Sequence, residues 1–209
     1  WQRVKLTPSL IVYSVGKTRY EKQPDEKDSA IIAQIDAMPM PAFLPKDRFP
    51  IEDMYHGSRI APKGFTHVHH FFLPRAAQAI GTLWEKAKAH PDPRIRAFLL
   101  FMVEQAIWGF SVLNRYSPSH FSQVNRALNG VYYVASQHAE CSPSYSLGGK
   151  LGRLEKAFQD YRAVARTAAI GTGTAARLPL PDGSVDYVFT DPPFGENIYY
   201  ADLNFLVES

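Results

Sequence analysis

Apolar residues recur at three- and four-residue intervals in three stretches of the chain, and these give its clearest elements. Between Arg75 and Lys88 they are Ala76, Ala79, Ile80, Leu83, Trp84 and Ala87, with Pro74 at the start and His90-Pro91 past the end, the spacing and flanks of an amphipathic helix. From Ile95 to Leu113 the pattern is apolar around most of a helical circumference, which predicts a core helix broken by Asn114-Arg115-Tyr116-Ser117-Pro118. A third helix is expected over Ser144 to Arg166. It sets Leu147, Leu151, Leu154, Ala157, Phe158 and Tyr161 on one side and Lys150, Arg153, Lys156 and Arg162 largely elsewhere. Gly148-Gly149 weakens its first turn, so a start near Lys150 is predicted, with packing against a sheet further along the chain.

Other stretches read as strands or irregular chain. Residues 1–62 are punctuated by proline. Leu10 to Val15 is a strand, Asp25 to Ala37 a short helix introduced by acidic residues, and Met38-Pro-Met-Pro-Ala-Phe-Leu-Pro an extended segment that cannot be helical. Val131 to Ser136 is predicted as a strand after the Asn129-Gly130 turn signal. Ala168 to Ala175 contains Gly171 and Gly173, but Arg177-Leu-Pro-Leu-Pro181 forbids the helix that a nucleotide-binding glycine loop should open, so a strand ending in a loop is the better reading. Val185 to Thr190, rich in aromatic and β-branched residues and preceded by the Asp182-Gly183 turn, is a further strand.

That last strand runs straight into Asp191-Pro192-Pro193-Phe194. Two prolines stiffen the loop and present carbonyl oxygens without N–H groups, beside a carboxylate and an aromatic ring, where an α/β sheet places its ligands. Such a set suits methyl transfer to an exocyclic amine of a base. The amine is a poor nucleophile because its lone pair is delocalised into the ring, and acceptors holding both N–H groups draw the nitrogen toward tetrahedral geometry. Asp191 and the Pro192 carbonyl are the expected acceptors, Pro193 the support and Phe194 the stacking face for a base taken out of its stack. The alternative is a plain turn with Asp191 as its cap and Phe194 in the core; the preceding strand and following Phe-Gly favour chemistry.

Here the sequence resembles the DNA amino-methyltransferases, and among them a group of large bacterial adenine-specific enzymes. The likeness runs from Leu178 through Asp191-Pro-Pro-Phe194 to Leu206, and extends to Phe65-Thr-His-Val-His-His-Phe-Phe72, Pro74-Arg75 and Asn114-Arg-Tyr-Ser117. The resemblance implies an α/β fold: part of a Rossmann-like methyltransferase sheet with a mostly helical, basic insert. It implies S-adenosyl-L-methionine as cofactor, DNA as partner and adenine N6 as target, with Thr174 and Ala175 near the cofactor's adenine, where many methyltransferases have Asp-Ala. Asn197 and Tyr199 follow as base or cofactor contacts. No glycine-rich cofactor loop precedes Asp191, and residues 199–209 resemble the opening of a helix. The chain is thus expected to be a piece of a longer enzyme, dependent on the rest of the parent polypeptide and inactive alone.

Charge sharpens this picture. Residues 1–60 hold nine Lys/Arg against eight Asp/Glu, residues 61–166 thirteen against six, and residues 167–209 one against six, so a net charge of +3 conceals a basic middle. Three parts are therefore expected: 1–62 irregular, 63–166 helical, basic and facing DNA, and 167–209 the end of the catalytic domain. Arg115 and Arg126 are the expected phosphate or base contacts, although a basic helix surface can equally be only solvated. A lone cysteine, Cys141, excludes a disulfide framework, fits a cytoplasmic setting, and lacks the context of the nucleophile that cytosine C5 methylation needs. His67, His69 and His70 have spacing a metal can use, but no Cys or second His cluster completes the set, so a structural junction or DNA-facing loop is expected. The best apolar run, Ala97 to Val103, is halted by Glu104-Gln105, so no membrane span is expected. RNA amino-methylation and a non-catalytic nucleic-acid-binding module stay open as alternatives.

Overall fold

The computed structural model describes residues 6–54, 57–120, 122–124, 126, 132–161, 168–192 and 199–209. It is a mixed α/β structure in which helices predominate. Strands β1 (Ile11–Val15) and β2 (Thr18–Lys22) pair antiparallel through a two-residue loop. Gly16, at φ 61°, takes the first loop position, which demands a left-handed residue when the next one stays ordinary. Tyr13 and Tyr20 stack across the ladder at 5.5 Å.

Helix α1 (Glu26–Asp36) starts where its acidic residues predict. Asp25 accepts from the Asp28 N–H, and the Asp28 carboxylate accepts from the Asp25 N–H, both at 2.9 Å. Helix α2 (Gly57–Ile60) and a 3-10 turn (Ala61–Lys63) lead to a second 3-10 turn over Val68–Phe71. Helix α3 (Pro74–Lys88) buries Ala76, Ala77, Ile80, Gly81 and Ala87. The extended segment read at 38–45 lies along it: Gln78 Nε2 donates to the Pro39 carbonyl at 2.6 Å, and a Cβ on Gly81 would stand 2.6 Å from Pro41 Cβ. Only glycine permits that approach.

The helix expected over 95–113 is two helices, α4 (Pro93–Glu104) and α5 (Ile107–Phe110). The chain turns at Gln105-Ala106, with Ala106 wholly buried at the corner, and the turn delivers Phe110, Val112 and Leu113 to the core. The expectation that α4 is itself core does not hold: Val103 is its one buried residue, while Ile95, Phe98 and Phe101 are exposed. Helix α6 (Pro143–Tyr161) begins before its two glycines, not near Lys150, because Ser146 and Leu147 are already buried in its first turns. Among the described residues it packs on α4, with Phe98 and Phe158 edge-to-face at 4.5 Å, and the sheet expected to receive it is not formed. Helix α7 spans Tyr200–Glu208.

The core gathers around Phe49, Phe71 and Tyr132, with ring centroids 5.2–5.3 Å apart, and α7 adds Phe205 at 4.7 Å from Phe49 and the buried Leu206. Such pairs add about 0.5–1.5 kcal/mol each beyond the area they bury. Three expected strands are absent from the described residues. Residues 132–136, 168–175 and 185–190 are not in strands, and 168–192 is exposed throughout. A strand is stable only when its N–H and C=O groups meet a neighbour, and among the described residues β1 and β2 pair only with each other. The sheet expected to carry Asp191 is therefore not formed by the described residues. Among them no helix is long and apolar enough to cross a membrane.

Candidate functional site

Asn114, the first residue of the Asn-Arg-Tyr-Ser stretch, is 0% exposed. A buried carboxamide is costly unless all its groups are paired, and here they are. Asn114 Nδ2 donates to the carbonyls of Gln123 at 2.7 Å and Ala139 at 3.0 Å, and Oδ1 accepts from the Arg126 N–H at 2.7 Å. Its main-chain carbonyl accepts from Ala139 N at 2.8 Å. One side chain thus ties together three segments that sequence separates by up to 25 residues.

Gln123 closes the adjoining loop. Its Oε1 accepts from the Ser117 N–H at 2.8 Å, while Nε2 donates to the carbonyls of Ser117 and His120. Its φ of 48° is a left-handed conformation that a residue with a side chain holds only when such bonds over-determine it. Cys141 Sγ donates to the Gln123 carbonyl at 3.1 Å, and burial pushes its thiol up to about 11. A thiol so raised is a packed side chain and a poor nucleophile.

This scaffold brings two of the sequence-predicted residues together. The Arg115 N–H donates to the Arg126 carbonyl at 3.4 Å, and Arg115 also bridges His138 in an antiparallel pair. Arg115 is exposed, and Arg126 is half-buried with its Nε lacking a hydrogen-bond partner. Close by along the chain, Glu140 holds Arg75 in a two-pronged ion pair, and burial lowers the pKa of His138. The Arg115 and Arg126 main chains are thus joined, with the Arg115 side chain open to solvent and the Arg126 Nε buried, while Arg75 is neutralised by Glu140.

The Asp191 loop is built differently. Asp191 and Pro192 are exposed, while Pro193, Phe194 and Asn197 lie outside the described residues. Tyr199 is half-buried at the N-cap of α7, and α7 is fastened to the core by Tyr132, whose hydroxyl accepts from the Leu206 N–H at 3.1 Å and lies 3.5 Å from the Leu203 carbonyl. Burial raises the Tyr132 phenol above its ordinary range, so it remains a neutral hydrogen-bonding group. Asp191 and Pro192 are thus open to solvent, while α7 is anchored to the core.

Thr174 Oγ1 accepts from the Ala176 N–H at 3.2 Å, closing its own turn, and Thr174 and Ala175 are exposed. One hydroxyl hydrogen remains for a ligand, but the described residues provide no apolar wall for an adenine, so they do not by themselves form a site for a nucleoside cofactor.

Sequence reasoning missed Gln123 and Tyr132 as organisers, and also Arg48 and Thr66, which line a cleft with His67, His69 and His70. Their partners are distant in sequence or lie in irregular turns, so no periodicity signals them. Among the described residues no group of three His, Cys, Asp or Glu side chains is placed to hold a metal ion. No protein-family model, curated protein or solved structure matches the chain.

Proposed function

We propose that this chain serves an S-adenosyl-L-methionine-dependent enzyme that methylates an exocyclic amine in DNA, adenine N6 first and cytosine N4 second. The observation that carries the reading is the succession Val185 to Phe194 in the sequence: an apolar run of strand-prone composition leading through Asp191 to two prolines and an aromatic ring. In this reading the Asp191 carboxylate and Pro192 carbonyl accept the two N–H groups of the target amine and localise its lone pair, while Phe194 stacks on the extruded base. The cofactor supplies an electrophilic methyl group. The rest of the parent polypeptide supplies the donor-binding loop and the neighbouring strands of a Rossmann-like sheet.

Arg115 and Arg126 take the role of backbone contacts, on a scaffold that Asn114 holds rigid. That rigid pair also favours a second reading, a nucleic-acid-binding module without catalysis. Transfer of tritiated methyl from the cofactor by the parent polypeptide, with DNA and RNA as separate acceptors, tests the proposal. Incorporation into DNA is expected; incorporation into RNA alone assigns the RNA alternative. Absence of transfer to either, with binding abolished by reversing the charges of Arg115 and Arg126, assigns the binding module. For the isolated chain, isothermal titration with S-adenosyl-L-methionine is expected to give no micromolar binding, and such binding overturns the division of labour proposed here.

A further inference from the structure

The cleft lined by Arg48, Thr66, His67, His69 and His70 has a volume of about 530 Å³ and shares no residue with the Asp191 loop. Arg48 and His67 form an antiparallel bridge, flanked by Phe49 N to Thr66 O at 2.9 Å and Val68 N to Asp47 O at 3.0 Å. Directly paired residues present their side chains on one face of a ladder, so the guanidinium and the imidazole stand side by side. Beneath them Phe49, Val68 and Phe71 are fully buried, which fixes the floor. The three imidazoles crowd together, with centroids 5.5 Å (His67–His69), 5.0 Å (His67–His70) and 4.4 Å (His69–His70) apart.

Three close histidines suggest a metal, but the hydrogen bonding opposes one. The Thr66 N–H donates to His70 Nδ1 at 3.2 Å. That bond requires a bare Nδ1, so neutral His70 carries its proton on Nε2, where a metal ligand would need a lone pair. Thr66 Oγ1 lies 2.9 Å from His67 Nδ1, so the same residue engages a second ring through the same type of nitrogen. An Nε2–H is a donor, and Arg48 adds a fork of further donors, of which Nη2 is paired with Glu52 at 2.7 Å. Donors and positive charge suit an anion, and an open cleft of this size suits one borne on a larger body.

We propose that this cleft binds a phosphate group, carried by a nucleic-acid backbone or by a free nucleotide, with the Arg48 guanidinium as its principal donor and the His67, His69 and His70 imidazoles lining it. The proposal does not depend on the methyl-transfer reading. Glu52 competes with the ligand for Arg48, which gives the site a sign that a merely structural cluster lacks.

The test is imidazole NMR of the full 209-residue chain, titrated separately with inorganic phosphate, a short single-stranded oligodeoxynucleotide, its uncharged methylphosphonate counterpart, and Zn²⁺. Saturable shifts of the His67, His69 and His70 signals with phosphate are expected. Shifts with the charged but not the uncharged oligonucleotide assign the group to a nucleic-acid backbone, and shifts with phosphate alone assign it to a free nucleotide. Arg48→Ala should weaken phosphate binding about tenfold or more, and Glu52→Gln should tighten it about two- to fivefold. Both residues are exposed, and an unchanged methyl spectrum verifies that the variants fold. Absence of any phosphate-dependent shift in the wild-type chain, or shifts with Zn²⁺ alone, overturns the proposal.

Discussion

The body built on Phe49, Phe71 and Tyr132 and the segment 168–192 are both rich in aromatic and β-branched residues, yet one buries them and the other does not. Phe71 is 0% exposed, whereas Phe189 is 81% and Ile170 99% exposed. Burying such a side chain is worth on the order of 1.5–3 kcal/mol, so the segment leaves substantial stabilisation unrealised. The difference lies in where hydrogen-bond partners come from. Helices of the body satisfy their backbone within a few residues, and turns such as Val68–Phe71 are covered by those helices. A strand-like run must borrow partners from elsewhere in sequence. In the methyltransferase reading those partners are strands of the parent polypeptide, and the loop proposed to carry the chemistry follows the segment that lacks partners of its own.

The contrast can be broken most sharply at its two extremes. Phe71→Ala is expected to cost about 3–5 kcal/mol in urea unfolding of the chain, while Phe189→Ala changes stability by less than about 0.5 kcal/mol. Equal costs would mean that the segment is packed after all. Next in size is Asn114→Ala, which strands the carbonyls of Gln123 and Ala139 and the N–H of Arg126, at about 2–4 kcal/mol. Its urea midpoint should fall accordingly, and a midpoint within error of wild type would remove Asn114 as the organiser of the Arg115–Arg126 scaffold. Gly81→Ala follows at about 1–3 kcal/mol, because Pro41 or α3 must shift to admit the Cβ. Gly152→Ala, at an exposed helical position with nothing within 4 Å of the added Cβ, should instead gain up to about 1 kcal/mol, and a like gain at Gly81 would contradict the packing of the 38–45 segment.

The smallest effect concerns acid. Hydrogen bonds from the N–H groups of Ile95 and Arg94 hold the Asp92 carboxyl below the ordinary carboxylate range, and the Asp28 N–H, then Lys22, do the same for Asp25. A carboxyl depressed in the folded state contributes stability above its unfolded pKa, near 4, and loses it as pH falls through the folded value. Wild type should therefore lose its advantage over Asp92→Asn in thermal melts below about pH 4, with the melting difference constant between pH 6 and 8.

How much was legible in the sequence follows the same division. Helix α3 and the capped start of α1 were read almost to the residue, because periodicity and caps act locally. The single helix drawn over 95–113 failed at Ala106, since nothing in an apolar run announces the corner that redirects it. Pro143 and the burial of Ser146 and Leu147 outweigh two glycines at the start of α6, an effect of tertiary packing. The strands at 131–136 and 185–190 rest on composition and a preceding turn signal, which report willingness to pair and not the presence of a partner. At the candidate site, Arg115 and Arg126 were named from charge, but the residue that joins them, Asn114, had only a resemblance to mark it. For Asp191 the sequence offers a pattern, a carboxylate before two prolines after a strand-prone run, and the structure adds that the residue is exposed.

Methyl transfer to DNA by the parent polypeptide, compared between wild type and Asp191→Ala, reaches the central claim most directly. The account predicts a fall in turnover on the order of 10²–10³-fold or more, with DNA binding and melting temperature retained because Asp191 is exposed. Undiminished methylation by the variant would contradict it.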